Sequence, residues 1–157
     1  MTFTIRPAAV EDSATILALT KDGIAQWGAD VFTLLVPWMD EVCNITYVQN
    51  RIQDDGYQVF VAENSTGIIG SVYLKTAKDN AYFGGLYCSV KRQGVGTALL
   101  QHVLQEARNA KVDTLECEVY EENTASILLM EKLGGQQTSS FYYDDVPYLV
   151  YTFDIDT

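Results

Sequence analysis

A glycine-containing turn between a predicted strand and a predicted helix constrains this chain more than any other part of its sequence. The letters KRQGVGTALL span residues 91–100 and place Gly94 and Gly96 two positions apart, at the start of a helix with an apolar stripe. Such a turn directs several backbone N–H groups toward a phosphate, and the helix dipole adds positive potential there. Lys91 and Arg92 add charge to the same loop. Taken alone, the segment predicts a tight strand-to-helix connection, with a phosphate-binding turn as the functional alternative.

Two common phosphate-binding loops do not fit this turn. A Walker loop requires Gly-Lys-Ser or Gly-Lys-Thr, and neither follows here. The dinucleotide fingerprint requires a third glycine, and Leu99 stands at that position. A phosphate ligand, if bound, would have to be held by another class of loop.

The charge balance narrows the expected partners. The chain has 157 residues, and its 21 acidic against 10 basic side chains give a net charge of −11. A nucleic-acid binder needs a basic surface to neutralise phosphates, so we expect no nucleic-acid partner. The acidic balance favours small amine-bearing partners, with solubility alone as the other explanation.

Histidine and cysteine usage exclude further classes. The single histidine, His102, excludes a histidine-rich zinc site, and we expect no metal. Cys43, Cys88 and Cys117 are odd in number and lack CxxC spacing, which favours a reducing compartment over a disulfide framework. No apolar run approaches the roughly 18 residues of a membrane span, and the N-terminus lacks the apolar core of a signal peptide. We therefore expect a cytoplasmic protein with no membrane partner.

Hydrophobic periodicity predicts one domain over residues 1–157, with elements in the order β-α-α-β-β-β-α-β-α-β-β. The expected strands cover residues 3–6, 57–62, 68–74, 81–86, 114–120, 138–143 and 148–153. One helix is expected to begin near residue 11, and three others to cover about 41–54, 94–110 and 123–133. Pro37 limits the stretch before residue 41 to one or two short helices. This order predicts an α/β fold (α+β in some schemes) with a mixed sheet of about seven strands.

A second motif follows the strand predicted at residues 114–120. The letters NTASILLMEKLGG span residues 123–135. Asn123 is a candidate helix N-cap, and Ser126 stands one turn into that helix. Alone, this segment predicts an ordinary capped helix.

Together the two motifs resemble the GNAT superfamily of acetyl-coenzyme-A-dependent N-acetyltransferases. That family has a pyrophosphate loop of the form Q/R-x-x-G-x-G/A and, after the next strand, a motif of roughly N-x-x-A-x-x-x-Y-x-K-x-G-F. The element order is similar over nearly the whole chain. The resemblance implies a mixed central sheet with helices on both faces, and acetyl transfer from acetyl-CoA to a primary amine within a ternary complex.

The resemblance also implies which residues bind coenzyme A. The loop would hold the pyrophosphate, the end of the preceding strand would pair with the pantetheine arm, and the second motif would contact the cofactor from the other side. The residues concerned are Leu86, Tyr87, Cys88, Lys91, Arg92, Gln93, Gly94, Val95, Gly96, Thr97, Asn123 and Ser126.

Two positions depart from the family pattern. Lys91 occupies the place of Gln or Arg, which keeps the charge but loses the planar fork of arginine. Met130 occupies the place of the tyrosine that commonly protonates the leaving thiolate, and a thioether has no proton to give. Tyr142 or Tyr143, Tyr120 or water would then supply the proton, or the thiolate would leave unprotonated.

Glu118 is the first candidate for the general base. Its strand resembles that of the ribosomal-protein alanine N-acetyltransferases, whose base glutamate falls at this position. Strand alternation places Glu116, Glu118 and Tyr120 on one face. A carboxylate with a raised pKa suits deprotonation of an amine. The alternative is that both glutamates are merely solvated or paired with basic side chains.

Acceptor recognition is expected from the apolar segment 27–39 and from the aromatic cluster 141–143, because aromatic faces hold cationic amines. The same residues would otherwise close the core or form a homodimer interface. A small-molecule amine and a peptide N-terminus both remain open as acceptors. Met130 favours one alternative function, a non-catalytic acyl-CoA-binding sensor or partner module, and a third is a similar groove that binds another ligand.

Overall fold

The computed structural model describes residues 2–155, which form one mixed sheet of seven strands with helices on both faces. The strands are Thr4–Pro7 (β1), Tyr57–Asn64 (β2), Gly67–Thr76 (β3), Asn80–Cys88 (β4), Thr114–Tyr120 (β5), Gln136–Tyr143 (β6) and Val146–Asp154 (β7). Their order across the sheet is β1-β2-β3-β4-β5-β7-β6. The predicted α/β fold with a mixed sheet is confirmed.

Five α-helices cover the two faces of the sheet. They are Ser13–Ala25 (α1), Ala29–Val42 (α2), Ile45–Gln53 (α3), Val95–Asn109 (α4) and Thr124–Lys132 (α5), and a short 3₁₀ turn, Val10–Asp12, precedes α1. Apolar residues of α4 and α5 belong to the main core on one face. Those of α1 to α3 belong to two smaller clusters with residues of β2, β5 and β7.

The centre of the sheet opens between β4 and β5, the two neighbouring strands that run parallel. Their pairing joins residues 80–82 to residues 114–116 and stops there, so the strands diverge toward their carboxyl ends. On its other side β4 has a bulge, because Gly85 and Leu86 both face one residue of β3. Gly85 has φ 63°, a left-handed conformation that favours glycine. The divergence leaves the edge of β4 that faces β5 unpaired beyond Tyr82, and the bulge distorts the pairing with β3 in the same stretch.

Pro37 does not confine the chain before residue 41 to short helices, and this prediction was wrong. It lies inside α2, a helix of 14 residues. A proline inside a helix costs about 3 kcal/mol, because it removes one hydrogen bond and crowds the preceding turn. Leu35 and Met39, on either side of it, are both buried in a cluster that also contains Tyr120. Burial of such side chains contributes about 1.5–3 kcal/mol each, which offsets the cost of the proline.

Candidate active site

The gap between β4 and β5 forms a cavity of about 60 Å³, which we call the β4–β5 cavity. Both diverging strands and the start of α5 contribute to its wall. Its lining residues are Trp27, Phe83, Gly84, Gly85, Leu86, Tyr87, Cys117, Glu118, Val119, Tyr120, Asn123, Ser126 and Met130. The cavity therefore brings together candidates from the strand end, the second motif and the base position.

The glycine turn ends at the start of α4 and has the geometry of an anion site. Gly94 is the N-cap in the left-handed conformation, φ 79° and ψ 7°, and no side chain caps the helix. The first helical hydrogen bond runs from Ala98 N–H to the Gly94 carbonyl, so the N–H groups of the three residues before Ala98 have no partner within the helix. Arg92 also has a positive φ, 59°. Successive N–H groups in such a turn form a concavity that binds anions.

The side chains of this turn lie where a phosphate can approach. Lys91, Arg92 and Gln93 are exposed, Gly96 and Thr97 are half-buried, and Val95 is buried in the core. Two half-buried residues of the preceding strand end, Leu86 and Tyr87, line the β4–β5 cavity, while Cys88 pairs with Gly70 of β3.

The predicted cap of α5 is confirmed. The Ser126 backbone N–H donates to Asn123 Oδ1 at 3.4 Å, and both residues line the β4–β5 cavity. The side chain of Asn123 thus fixes the start of α5 against the open end of β5. A pair of polar side chains is held opposite the free part of β4.

Glu118 lies on β5 at the wall of this cavity, and its side chain is exposed to solvent. Partial burial, and then repulsion by Glu116 on the same face of the strand, raise the pKa of its carboxyl group above the usual range. Its charge also acts on two phenols. Burial and, to a smaller extent, Glu118 raise the pKa of Tyr148 to about 12, and Glu118 contributes likewise to the raised pKa of Tyr82.

Met130 has no proton to give and is packed in the core. It is 4% exposed, and its Sδ lies 3.2 Å from the Sγ of Cys117. Burial raises the pKa of the Cys117 thiol to about 12, so this thiol stays protonated at neutral pH. The pair contributes packing at the floor of the cavity.

The three candidate phenols lie in different places. Tyr142 and Tyr143 are on the hairpin between β6 and β7, 77% and 41% exposed, and they are not part of the cavity wall. Tyr120 does line the cavity, and its hydroxyl donates to Glu122 at 2.8 Å. Burial raises the pKa of Tyr120 as well. The structure thus separates Tyr142 and Tyr143 from Glu118, and their catalytic role stays a prediction.

The apolar segment 27–39 is divided between core and cavity. Trp27 lines the β4–β5 cavity, and its ring lies 5.0 Å from that of Tyr120. Phe32 is partly buried against the cluster around Leu35. Trp38 lines a second cavity, described next.

The second cavity, of about 90 Å³, lies on the face of the sheet that α1 to α3 cover; we call it the α1–α3 cavity. Arg51 of α3, Ser71 and Tyr73 of β3, and Gly85 and Tyr87 of β4 all contribute to its wall. The first three of these residues were not predicted from the sequence. An arginine in an amphipathic helix and a serine inside the apolar run 68–74 were the available signals, but only the fold brings them together.

Residues 2–155 contain neither a metal-binding cluster nor a membrane-spanning helix. No group of three or more His, Cys, Asp or Glu side chains is placed to hold a metal ion. No helix in this part of the chain has both the length and the apolar character needed to cross a membrane.

Several solved structures similar to this chain are described as acetyltransferases. The PaiA N-acetyltransferase of Thermoplasma acidophilum, solved in complex with coenzyme A, aligns with a TM-score of 0.82 at 16% identity, over 98% of this chain and 99% of that one. The ribosomal-protein-S18-alanine N-acetyltransferase of Escherichia coli aligns with a TM-score of 0.77 at 22% identity, over 99% and 96%. The acetyltransferase YncA of Salmonella typhimurium, described as putative and solved with its cofactor acetyl-CoA, aligns with a TM-score of 0.74 at 19% identity, over 100% and 96%. At these identities the likeness establishes the fold.

The sequence comparisons establish the family. A search of curated proteins gave no match. The sequence model of the Acetyltransferase (GNAT) family matches residues 24–135, well over half of the chain and including both motifs. The chain therefore belongs to the GNAT family of acetyltransferases.

Proposed function

We propose that this protein transfers an acetyl group from acetyl-CoA to a primary amine by direct attack within a ternary complex. The observation that supports this most strongly is the β4–β5 cavity. A carboxylate with a raised pKa, Glu118, lines the same cavity as a stretch of β4 that is unpaired on its β5 side. A base and a free strand edge at one opening are what this reaction needs.

The residues present fit acetyl-CoA as the donor substrate. The uncapped N–H groups at the start of α4 suit its pyrophosphate, and Lys91 and Arg92 add positive charge nearby. The amide-bearing pantetheine arm suits the free edge of β4 near Leu86 and Tyr87, and Asn123 with Ser126 lie across the cavity from it. The thioester would then lie beside Glu118.

Glu118 is proposed to take a proton from the acceptor ammonium, directly or through a water molecule. An alkylamine is protonated at neutral pH and must lose a proton before it can attack a carbonyl carbon. The neutral nitrogen then forms a bond to the thioester carbon, and backbone N–H groups of β4 stabilise the oxyanion. As the carbonyl re-forms, the C–S bond breaks, the nitrogen loses its second proton to water, and the thiolate of coenzyme A is released.

Tyr120 is the best placed of the three candidate phenols to protonate that thiolate. It lines the cavity, whereas Tyr142 and Tyr143 lie on the β6–β7 hairpin. Its hydroxyl contacts Glu122, and a shift of that hydroxyl toward the sulfur would deliver the proton. A water molecule at the mouth of the cavity is the alternative proton donor.

A second candidate function is a non-catalytic acyl-CoA-binding module. Met130, buried at the position of the family tyrosine, is the observation that favours it. Such a module would bind coenzyme A and release no thiol with any acceptor. Cytoplasmic location, a homodimer and the absence of a nucleic-acid partner stay predictions under both functions.

The test is a screen of amines with acetyl-CoA, following thiol release and detecting the N-acetyl product by mass spectrometry. The proposal predicts product formation with at least one small amine or peptide N-terminus. Binding of coenzyme A by calorimetry, with no product across the panel, would replace the enzyme by the binding module. Failure to bind coenzyme A would contradict both.

A further inference from the structure

We infer that the α1–α3 cavity binds a carboxylate group of the acetyl acceptor, through Arg51 and Ser71. This inference rests on the proposed acetyl transfer and names the substrate class. The acceptor would be a small amino carboxylate, with its amine at the β4–β5 cavity, its carboxylate at Arg51 and an apolar stem between them.

Among the residues that the structure describes, none is a counter-ion for Arg51. Its guanidinium carbon lies 3.8 Å from the ring centroid of Tyr73, and the rings of Tyr47 and Tyr57 lie at 4.8 and 5.4 Å. Within residues 2–155 no carboxylate forms an ion pair with it, and its Nε is buried without a hydrogen-bond partner. An unpartnered buried donor on a charged group is costly, so this arrangement points to an absent acceptor atom.

Ser71 provides an independent observation at the same cavity. It is 1% exposed, its Oγ is buried with no hydrogen-bond partner, and it lines the wall together with Arg51. Buried polar side-chain atoms almost always have a partner. Two such atoms on different elements, both at one cavity, indicate a polar ligand between α3 and β3.

The chemistry of the wall selects a carboxylate. A guanidinium and a hydroxyl donate to the two oxygens of one planar anion, and Arg is the side chain best matched to that geometry. The rest of the wall is largely apolar, with residues such as Ile16, Val48 and Val59, and suits a hydrocarbon stem. A phosphate dianion would leave more oxygens without donors among these side chains.

The two cavities share part of their walls. Gly85 and Tyr87, in and next to the β4 bulge, line both of them. The two cavities are therefore adjacent, and the proposed acceptor would extend past Gly85 and Tyr87 from Arg51 toward Glu118. The β4 bulge thus lies where the two cavities adjoin.

The kinetic test compares 6-aminohexanoate with hexylamine, which has a methyl group in place of the carboxylate. We expect wild type to prefer 6-aminohexanoate, and Arg51→Met to lower the ratio of the two kcat/KM values roughly 10- to 100-fold, the range of one charge-assisted contact. Arg51→Lys should restore part of that ratio. Lys75→Met is the matched control, because Lys75 also lies over the Tyr57 ring but does not line the cavity, and it should leave the ratio unchanged. A wild type that prefers hexylamine, or an unchanged ratio in Arg51→Met, would overturn the inference.

A binding test separates this inference from the proposed function. Calorimetry with hexanoate and its neutral amide, hexanamide, needs no acetyl transfer. We expect hexanoate to bind and hexanamide to bind at least tenfold more weakly, with the difference lost in Arg51→Met. If hexanoate binds in this way but no amine is acetylated, the carboxylate site stands and the proposed transfer fails. If amines are acetylated but hexanoate and hexanamide bind alike, the carboxylate site fails alone.

Ser71→Ala provides a variant whose folding is not at risk. It removes a buried hydroxyl that has no partner, so the unfolding midpoint should stay the same or rise. Hexanoate affinity should fall several-fold, the loss of one neutral hydrogen bond. Unchanged hexanoate affinity in a folded Ser71→Ala protein would overturn the inference even if Arg51→Met does not fold.

Discussion

Replacement of Gly70 by alanine should weaken coenzyme A binding through the packing beneath the glycine turn. A Cβ atom at Gly70 would lie 2.9 Å from Val95 Cγ1, 3.0 Å from Leu99 Cδ1 and 3.4 Å from Cys88 Sγ. Val95 and Leu99 are buried in the first turns of α4, so we expect the added methyl group to push the start of that helix away from the sheet. The uncapped N–H groups proposed to hold the pyrophosphate would move with it.

Overpacking of this kind costs about 1–3 kcal/mol of unfolding free energy. For a chain of this size, each kcal/mol lowers the unfolding temperature by about 2–4 °C. A displacement on the order of 1 Å lowers the reaction rate at a preorganised site by up to about 100-fold. We expect the Kd of coenzyme A to rise roughly tenfold. Urea denaturation measures the first effect and calorimetry the second.

Gly135→Ala is the matched control. Its Cβ would lie 2.8 Å from Phe153 Cζ and 3.0 Å from the Met130 carbonyl oxygen, a similar crowding at the far end of α5. It should lower stability by a similar amount and leave the Kd of coenzyme A within twofold. Equal Kd values for the Gly70→Ala protein and wild type, or an equal rise in both variants, would refute the reasoning.

Three further predictions concern acid–base chemistry. Glu116→Gln removes a charge that raises the pKa of Glu118, so the acidic limb of the pH–kcat/KM profile should move to lower pH; a shift to higher pH would contradict this. Tyr120→Phe removes the proposed proton donor and should lower kcat about 10- to 100-fold in steady-state assays, whereas an unchanged kcat would assign that proton to water. Arg6 lowers the pKa of Asp12, so their ion pair stabilises the fold above the unfolded pKa of Asp12 and is lost as pH falls through the folded value. Urea denaturation of Asp12→Asn should therefore show a smaller loss of stability below about pH 4 than wild type.

Local signals in the sequence were sufficient for the elements that frame the β4–β5 cavity. The alternation of apolar and polar residues gave the bounds of β5, and the sheet confirms them at Thr114–Tyr120. Asn123 was identified as a cap because its side chain competes for backbone N–H groups near in sequence, and it does accept from Ser126. Both features depend on residues that are close to each other in the sequence.

Tertiary packing decided the features that the sequence could not predict. The helix-breaking tendency of Pro37 is a local property, whereas the burial of Leu35 and Met39 that outweighs it depends on the whole fold. Arg51 and Ser71 lie on different elements and meet only because α3 packs against the sheet. Their missing partners can be recognised only when all surrounding atoms are known.

The aromatic run 141–143 shows a third limit. Its apolar character suits a site, a core or an interface equally well. The run ends in a hairpin at the edge of the sheet, and this leaves Tyr142 and Tyr143 largely in solvent. Exposure at a sheet edge is set by strand order, which the sequence pattern does not determine.

The most direct test of the account is the kcat/KM of Glu118→Gln with acetyl-CoA and an amine acceptor, measured from pH 6 to 10. Loss of a general base should lower kcat/KM about 10²- to 10⁴-fold near neutral pH, and the deficit should shrink at high pH as free amine becomes abundant. Glu116→Gln, two residues earlier on the same face of β5, should remain active throughout. A Glu118→Gln protein with the activity and pH profile of wild type would contradict the assignment of the base and of this cavity as the active site.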